Sequence, residues 1–199
     1  MFKEKYYIII GTLFLLGTLK SEVKASSDFL VEIFPGSILA HMDANAFTVT
    51  STDTKESVSL ISSIPNVKVG LAVAQPEGYF DFELGMGLFL NNRLRGIVLS
   101  ASTGFSLEYR PNVLIGPHIQ WNWLQSPEWW GEADISFKDT DGWLVGLHLA
   151  TGERISYLLS IDYSSMSLPV SRVGENWTTN QNEIDLSGIS VQFGIRTQF

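Results

Sequence analysis

Histidines, carboxylates and a pair of adjacent tryptophans are the side chains here with the means to do chemistry. His41 precedes Met42-Asp43, His118 precedes Ile119-Gln120, and His148 precedes Leu149-Ala150. An imidazole set between a carboxylate and a hydroxyl serves as a general base for acyl transfer. His41, Asp43, Ser165 and Ser167 are residues of those types. Their spacing forms no motif, so no catalytic residue is assigned. His118 and His148 could make a proton-responsive or metal-binding pair. Two imidazoles within a polar network is the reading preferred. The segment Pro127 to Gly142 places Glu128, Glu132, Asp134, Asp139 and Asp141 beside Trp129 and Trp130. Asp139-Thr140-Asp141-Gly142 resembles the start of a calcium loop but lacks a third ligand and the closing Glu. A solvated acidic loop is expected, with no metal and no cofactor. Asn176-Trp177-Thr178 fits a glycosylation acceptor and is read as coincidence.

Such side chains need a scaffold, and the totals bound it. The 199 residues include no Cys and carry a formal net charge of −8. Lys3 and Lys5 precede an apolar run from Ile8 to Leu19, followed by Val23-Lys24-Ala25. This reads as a secretory signal peptide over residues 1–25, leaving 26–199 as one mature domain. A retained anchor helix is the alternative, and the absence of Cys excludes a lipid-anchored start. Without the four Lys and two Glu of that leader, 9 basic and 19 acidic residues remain (13 − 4 and 21 − 2), a net of −10. An acidic chain does not suit nucleic acid, whose affinity comes from basic contacts to phosphate. An exported chain without Cys must close its fold by packing and backbone hydrogen bonds.

Beyond Ala25 the hydrophobic period is two, the mark of strands. Val67, Val69, Leu71 and Val73 alternate with small or polar residues. So do Phe80, Phe82, Leu84, Met86, Leu88 and Leu90, then Ile97, Leu99, Ala101, Phe105, Leu107 and Tyr109. Ile115, Ile119, Trp121 and Trp123 continue the pattern, as do Trp143, Val145, Leu147 and Leu149. Ile155 to Tyr163 and Val191 to Phe199 complete it. The first strand, from Phe29 to about Met42, is interrupted by Pro35-Gly36, which predicts a bulge or bend. Eight strands result. Short turns at Gln75–Gly78, Arg110–Asn112 and Thr151–Arg154 lie at one end, and four other connections, three of them long, lie at the opposite end.

The small face of these strands is rich in Gly and Ser and carries charge. It bears Glu32, Lys68, Asp81, Glu83, Glu108, Arg110, His118, His148, Asp162 and Arg196. A solvated exterior would not be so rich in Gly, whereas the crowded interior of a narrow barrel favours small residues. On the apolar face Trp121, Trp123, Trp143 and Tyr163 gather toward the long-loop end, and Phe80 and Tyr109 toward the short-turn end. Two aromatic girdles and short turns opposite long loops predict a transmembrane barrel, closed because unpaired backbone groups are costly in lipid. The expected fold is therefore all-β: an eight-stranded, antiparallel, up-and-down transmembrane β-barrel. Ion-paired layers are expected to plug it, with Arg196 and Lys68 flanked by carboxylates.

The last residues, SVQFGIRTQF, resemble the C-terminal assembly signal of bacterial outer-membrane proteins through Gln192, Gly194 and Phe199. Thr197 stands where that signal more often has a larger apolar residue. With the alternating strands, the chain resembles the small eight-stranded outer-membrane barrels of OmpA, OmpX and OmpW type. The resemblance implies a place in the bacterial outer membrane and, as partners, its lipids, lipopolysaccharide and the assembly machinery. A surface ligand is left unnamed. Some barrels of this kind are enzymes: the His-x-Ser pair of lipid A deacylases is absent here, and the His, Asp and Ser that palmitoyl-transferring barrels carry at the extracellular rim would correspond, by that resemblance, to His41, Asp43 and Ser165 or Ser167, which nothing in the spacing singles out. The expected function is non-enzymatic, with exposed loops serving envelope integrity or surface interaction. The alternatives are a narrow channel for small or apolar solutes and, after it, a lipid-modifying enzyme.

Overall fold

A computed structural model of the chain describes residues 27–75, 78–152 and 155–199. The expected signal peptide, and parts of two short turns, lie outside the described residues. In chain order the strands are β1 (Ser27–His41), β2 (Thr48–Thr50), β3 (Lys55–Ser57), β4 (Ile61–Ser63), β5 (Asn66–Gln75), β6 (Gly78–Leu90) and β7 (Leu94–Arg110). Then come β8 (Val113–Trp129), β9 (Ile135–Phe137), β10 (Thr140–Gly152), β11 (Ile155–Val173), β12 (Thr178–Thr179), β13 (Glu183–Asp185) and β14 (Gly188–Gln198).

Eight antiparallel staves make a closed ring. β1 pairs with β5 on one side and β14 on the other. From β5 the ring runs through β6, β7, β8, β10 and β11 back to β14. Closure leaves no free edge, which satisfies the backbone groups that an open sheet would expose. Phe199 takes part in the closure: its N–H donates to Phe29 O at 3.0 Å, and Phe29 N–H donates back at 3.2 Å.

Alternation sorts the side chains by face. Leu84, Met86, Leu147 and Val145 point outward and are more than half exposed. Glu32, Lys68, Asp81, Asp162 and Arg196 point inward and are buried. This inverts the usual distribution, in which charged residues are the least often buried. Glycines make the inversion possible. A Cβ at Gly104 would meet Asp81 Oδ1 and His148 Cε1 at 2.9 Å, so only Gly leaves room there for the charged interior.

The predicted irregularity at Pro35-Gly36 is present as a register shift between Ile33 and Gly36. A second break lies beside it. Ile64-Pro65 separates β4 from β5, with Ile64 N–H donating to Ser37 O at 2.8 Å.

At the long-loop end Glu128, Glu132, Asp134, Asp139 and Asp141 are exposed, as expected of a solvated acidic segment, but the backbone that carries them is folded. β7, β8 and β11 run on for 17, 17 and 19 residues, and the loops fold over the mouth. β2, β3 and β12 form a small sheet there, while β9 and β13 pair with β11. Phe47, Phe137, Leu168, Ile184 and Leu186 are buried in the resulting apolar core, with Trp129 packed against it. Ile135 and Phe137 alternate with Ser136, so a short strand hides apolar residues within an acidic segment. The loops are therefore a folded cap.

Candidate functional site

The interior of the barrel holds a charged layer whose geometry follows from register. Glu32 on β1 stands opposite Lys68 on β5 and opposite Arg196 on β14. Arg196 Nε donates to Glu32 Oε1 at 2.6 Å, and its Nη2 donates to Glu83 Oε1 at 3.3 Å. The same Nη2 lies 3.6 Å from Asp81 Oδ2. Lys68 Nζ is 3.8 Å from Glu83 Oε2, which also accepts from Ser102 Oγ at 3.1 Å. All five charged side chains are buried. A single guanidinium thus bridges three carboxylates contributed by two strands. Desolvation of such charges costs several kcal/mol each and is offset only by close geometry and full hydrogen bonding.

The two imidazoles lie in the same layer, their ring centroids 5.4 Å apart. His148 Nε2 meets Ser106 Oγ, and His118 Nε2 lies 3.1 Å from Asp162 Oδ1. Asp162 Oδ2 accepts from Ser160 Oγ at 3.2 Å and from Gln192 Nε2 at 3.3 Å. Counting across the layer, Glu32, Asp81, Glu83 and Asp162 face Lys68 and Arg196. A void of about 20 Å³, room for a single water, remains between the Glu32, Asp81, Glu83, Lys68 and Arg196 cluster and the two imidazoles. Toward the cap the lining becomes neutral, with Gln120 Nε2 donating to Asn122 Oδ1 at 2.6 Å, and then apolar. Toward the short turns the barrel opens into a vestibule of about 360 Å³, bounded by Asp28, Tyr79, Glu108 and Gln198, which Arg196 also lines.

Two residues assigned to this network from sequence stand apart from it. Glu108 and Arg110 are exposed at the short-turn end of β7, where the register shifts between Glu108 and Arg110. The strand outruns the packed interior there, so alternation no longer means burial. Of the other sequence-derived positions, Gln192 is buried in the lumen and Phe199 is exposed at the rim of the vestibule. Gly194 sits where a Cβ would meet Phe34 Cδ1 at 2.6 Å. On the outer face Trp121 stacks on Trp123 at 4.5 Å and on Trp143 at 4.8 Å, with its Nε1 donating to Asp141 Oδ2 at 3.0 Å. Tyr109 and Tyr163 are exposed, and the Phe80 ring meets Phe82 edge-on at 4.8 Å.

His41 does not meet Asp43, Ser165 or Ser167. Its Nε2 accepts from Ser62 Oγ at 2.6 Å while Nδ1–H donates to Leu186 O at 2.9 Å. Asn91 Nδ2 donates to the same Ser62 oxygen at 2.9 Å. Nucleophile-to-base distance is met, but Ser62 and His41 are both buried beneath the cap, which leaves no route for a substrate. The cluster fastens the cap to the wall. No group of three or more His, Cys, Asp or Glu comes together as a metal site among the described residues.

Sequence reasoning missed Glu56. This β3 carboxylate is buried in the cap and accepts from Trp129 Nε1 at 2.7 Å and from the Glu132 amide at 3.2 Å. Arg93 Nη1 lies 3.2 Å away. Burial alone pushes the carboxyl up. The Trp129 indole, the Glu132 amide, the Arg93 guanidinium and the Ala133 amide outweigh it and hold the group below its ordinary 4.5. Nothing in the polar run around Lys55-Glu56-Ser57 signals this, because its partners are 37 or more residues away.

Fold and lining together define a class: the chain has the fold of the eight-stranded outer-membrane β-barrels. Among solved structures it is similar to the outer membrane protein OprG from Pseudomonas aeruginosa, at a TM-score of 0.53 and 10% identity over 88% of this chain and 97% of that one. AlkL, solved in lipid bilayers, gives 0.48 at 11% identity over 90% of this chain and 93% of its own. Neisserial surface protein A gives 0.41 at 14% identity over 87% and 99%. No family model and no curated protein matches the sequence.

Proposed function

We propose that the chain is a non-enzymatic barrel of a bacterial outer membrane, with a plugged lumen and a folded cap that serves envelope integrity or contact with a surface partner. One observation carries this reading: two closures lie in series along the axis. The charged layer leaves about 20 Å³ of space, and the apolar core of the cap covers the mouth above it. Lipid and lipopolysaccharide suit the outward apolar wall and its stacked tryptophans. The assembly machinery is the partner that Gln192, Gly194 and Phe199 would address.

Single-channel recording tests the plug. The protein in a planar bilayer is expected to show no steady conductance, and a large, persistently open pore overturns the reading. Replacing residues 125–141 by an unrelated loop is expected to abolish surface binding and leave solute uptake unchanged. A second reading, a narrow channel for small or apolar solutes, has support from the inward-facing Leu39, Phe89, Leu124 and Leu168 beneath and within the cap. Altered uptake after the same replacement selects it.

A further inference from the structure

Among the described residues, Glu56 is the buried carboxylate that lies outside the barrel wall. It ties three segments distant in sequence. β3 carries it, Trp129 at the end of β8 and the following Glu132 amide donate to it, and Arg93 reaches it from the β6–β7 turn. Gly131 makes the space, since a Cβ there would lie 2.6 Å from Trp129 Nε1 and 2.8 Å from Glu56 Cδ. The Trp129 ring in turn packs on Phe47 and Phe137, at centroid distances of 6.3 and 6.1 Å. One charge is thereby coupled to the apolar core of the cap.

Building on the capped-barrel reading, we propose that Glu56 is an acid-released latch: one proton on its carboxylate frees the first loop from Arg93 and from the Trp129–Glu132 turn, uncovering the cap's apolar core. A neutral carboxyl offers its N–H donors one fewer free acceptor, and its own hydroxyl points at groups unable to accept. Arg93 loses its counter-charge at the same step. The charged groups facing Glu56 are few. Arg93 comes from the β6–β7 turn and Glu132 from the segment before β9, with an exposed carboxylate. On β3 itself Lys55 points to the opposite, exposed face. From β2 the register partner is Val49, which carries no charge.

The direction of the pH effect follows from linkage. The folded-state value is depressed, so the stabilisation is fully present above the ordinary carboxylate value. It is lost as pH falls through the depressed one. What acid then exposes is an aromatic surface around Phe47, Trp129 and Phe137, suited to a lipid surface.

Hydrogen exchange of the full chain in detergent micelles, corrected for the intrinsic pH dependence of exchange, tests the latch. Amides of β3 and β9 are expected to hold their protection from neutral pH down through the ordinary carboxylate range. Below it they should exchange roughly tenfold faster, while amides of β8 and β10 in the wall do not change. Glu56→Gln is expected to show the same loss at pH 7 and to lack the acid transition. Arg93→Met should move the onset to higher pH. Full protection in Glu56→Gln at neutral pH overturns the latch, as does an acid transition that persists in that variant or wall amides that loosen together with the cap. An open conductance at neutral pH would refute the plugged lumen without bearing on Glu56, so the two failures are distinct.

Discussion

Arg196 is the residue on which the interior depends most. It carries the positive charge shared by Glu32, Glu83 and Asp81, and all four side chains are out of water. A buried ion pair contributes little net stability over a well-packed neutral pair, but removing one member leaves a buried charge unpaired. Arg196→Gln is therefore expected to cost about 3–5 kcal/mol. The double variant Arg196→Gln with Glu32→Gln should recover part of that loss, because one of the stranded carboxylates is gone. Urea unfolding in lipid vesicles, followed by heat-dependent gel migration, measures both. A single variant within about 1 kcal/mol of the parent would show that water already satisfies these carboxylates. The Glu32–Arg196 pair also spans the seam between the first and last staves, in register. Its loss should be felt at closure as well as in the lumen.

At the scale of elements, wall and cap obey different rules, which is why one was legible in the sequence and the other was not. Each stave except the interrupted β1 repeats the period of two over ten residues or more, so Leu84, Met86 and Val145 could be placed outside and Asp81 and Asp162 inside from the sequence alone. The Pro35-Gly36 bulge was legible because Pro and Gly mark it directly. Glu108 and Arg110 share that alternation yet lie past the packed interior, and period alone does not say where a stave leaves the interior. The cap is built from strands of two or three residues, β2, β3, β9, β12 and β13, too short for any period to register. Its pairings cross the chain: Thr178 meets Thr50, and Ile184 meets Leu168. If the cap is a cooperative unit of its own, damage to its core should stop at the wall. Phe47 is fully buried and touches Trp129 and Phe137. Phe47→Ala is expected to cost the cap about 3–5 kcal/mol. Trypsin should then cut after Lys55, Lys138 and Arg172 far faster than in the parent, while the protected barrel fragment keeps its heat-dependent migration. Loss of that migration would mean that cap and wall unfold together.

For the whole molecule, the plugged and capped reading proposed above has the axis shut twice by unlike means. The lower closure is ionic: carboxylates from β1, β6 and β11 converge on Arg196, Lys68 and the His118 imidazole. The upper closure is the apolar core of the cap, made of segments that share no charge with the layer below. Closures in series behave like resistances in series, so removing either one leaves the other in place. Replacing residues 130–139 by a short turn takes away Ile135 and Phe137 and should unseat the cap without conductance appearing. Glu32→Ser with Arg196→Ser empties the centre of the ion layer and should likewise leave the bilayer sealed. The combined variant is expected to conduct. Its current should favour cations, because Asp81, Glu83 and Asp162 then line the path against Lys68 alone. Reversal potentials across a potassium chloride gradient read that preference. Steady current from either partial variant would show a single closure, and an anion-selective current from the combined one would mean that ions take a path other than the charged lumen.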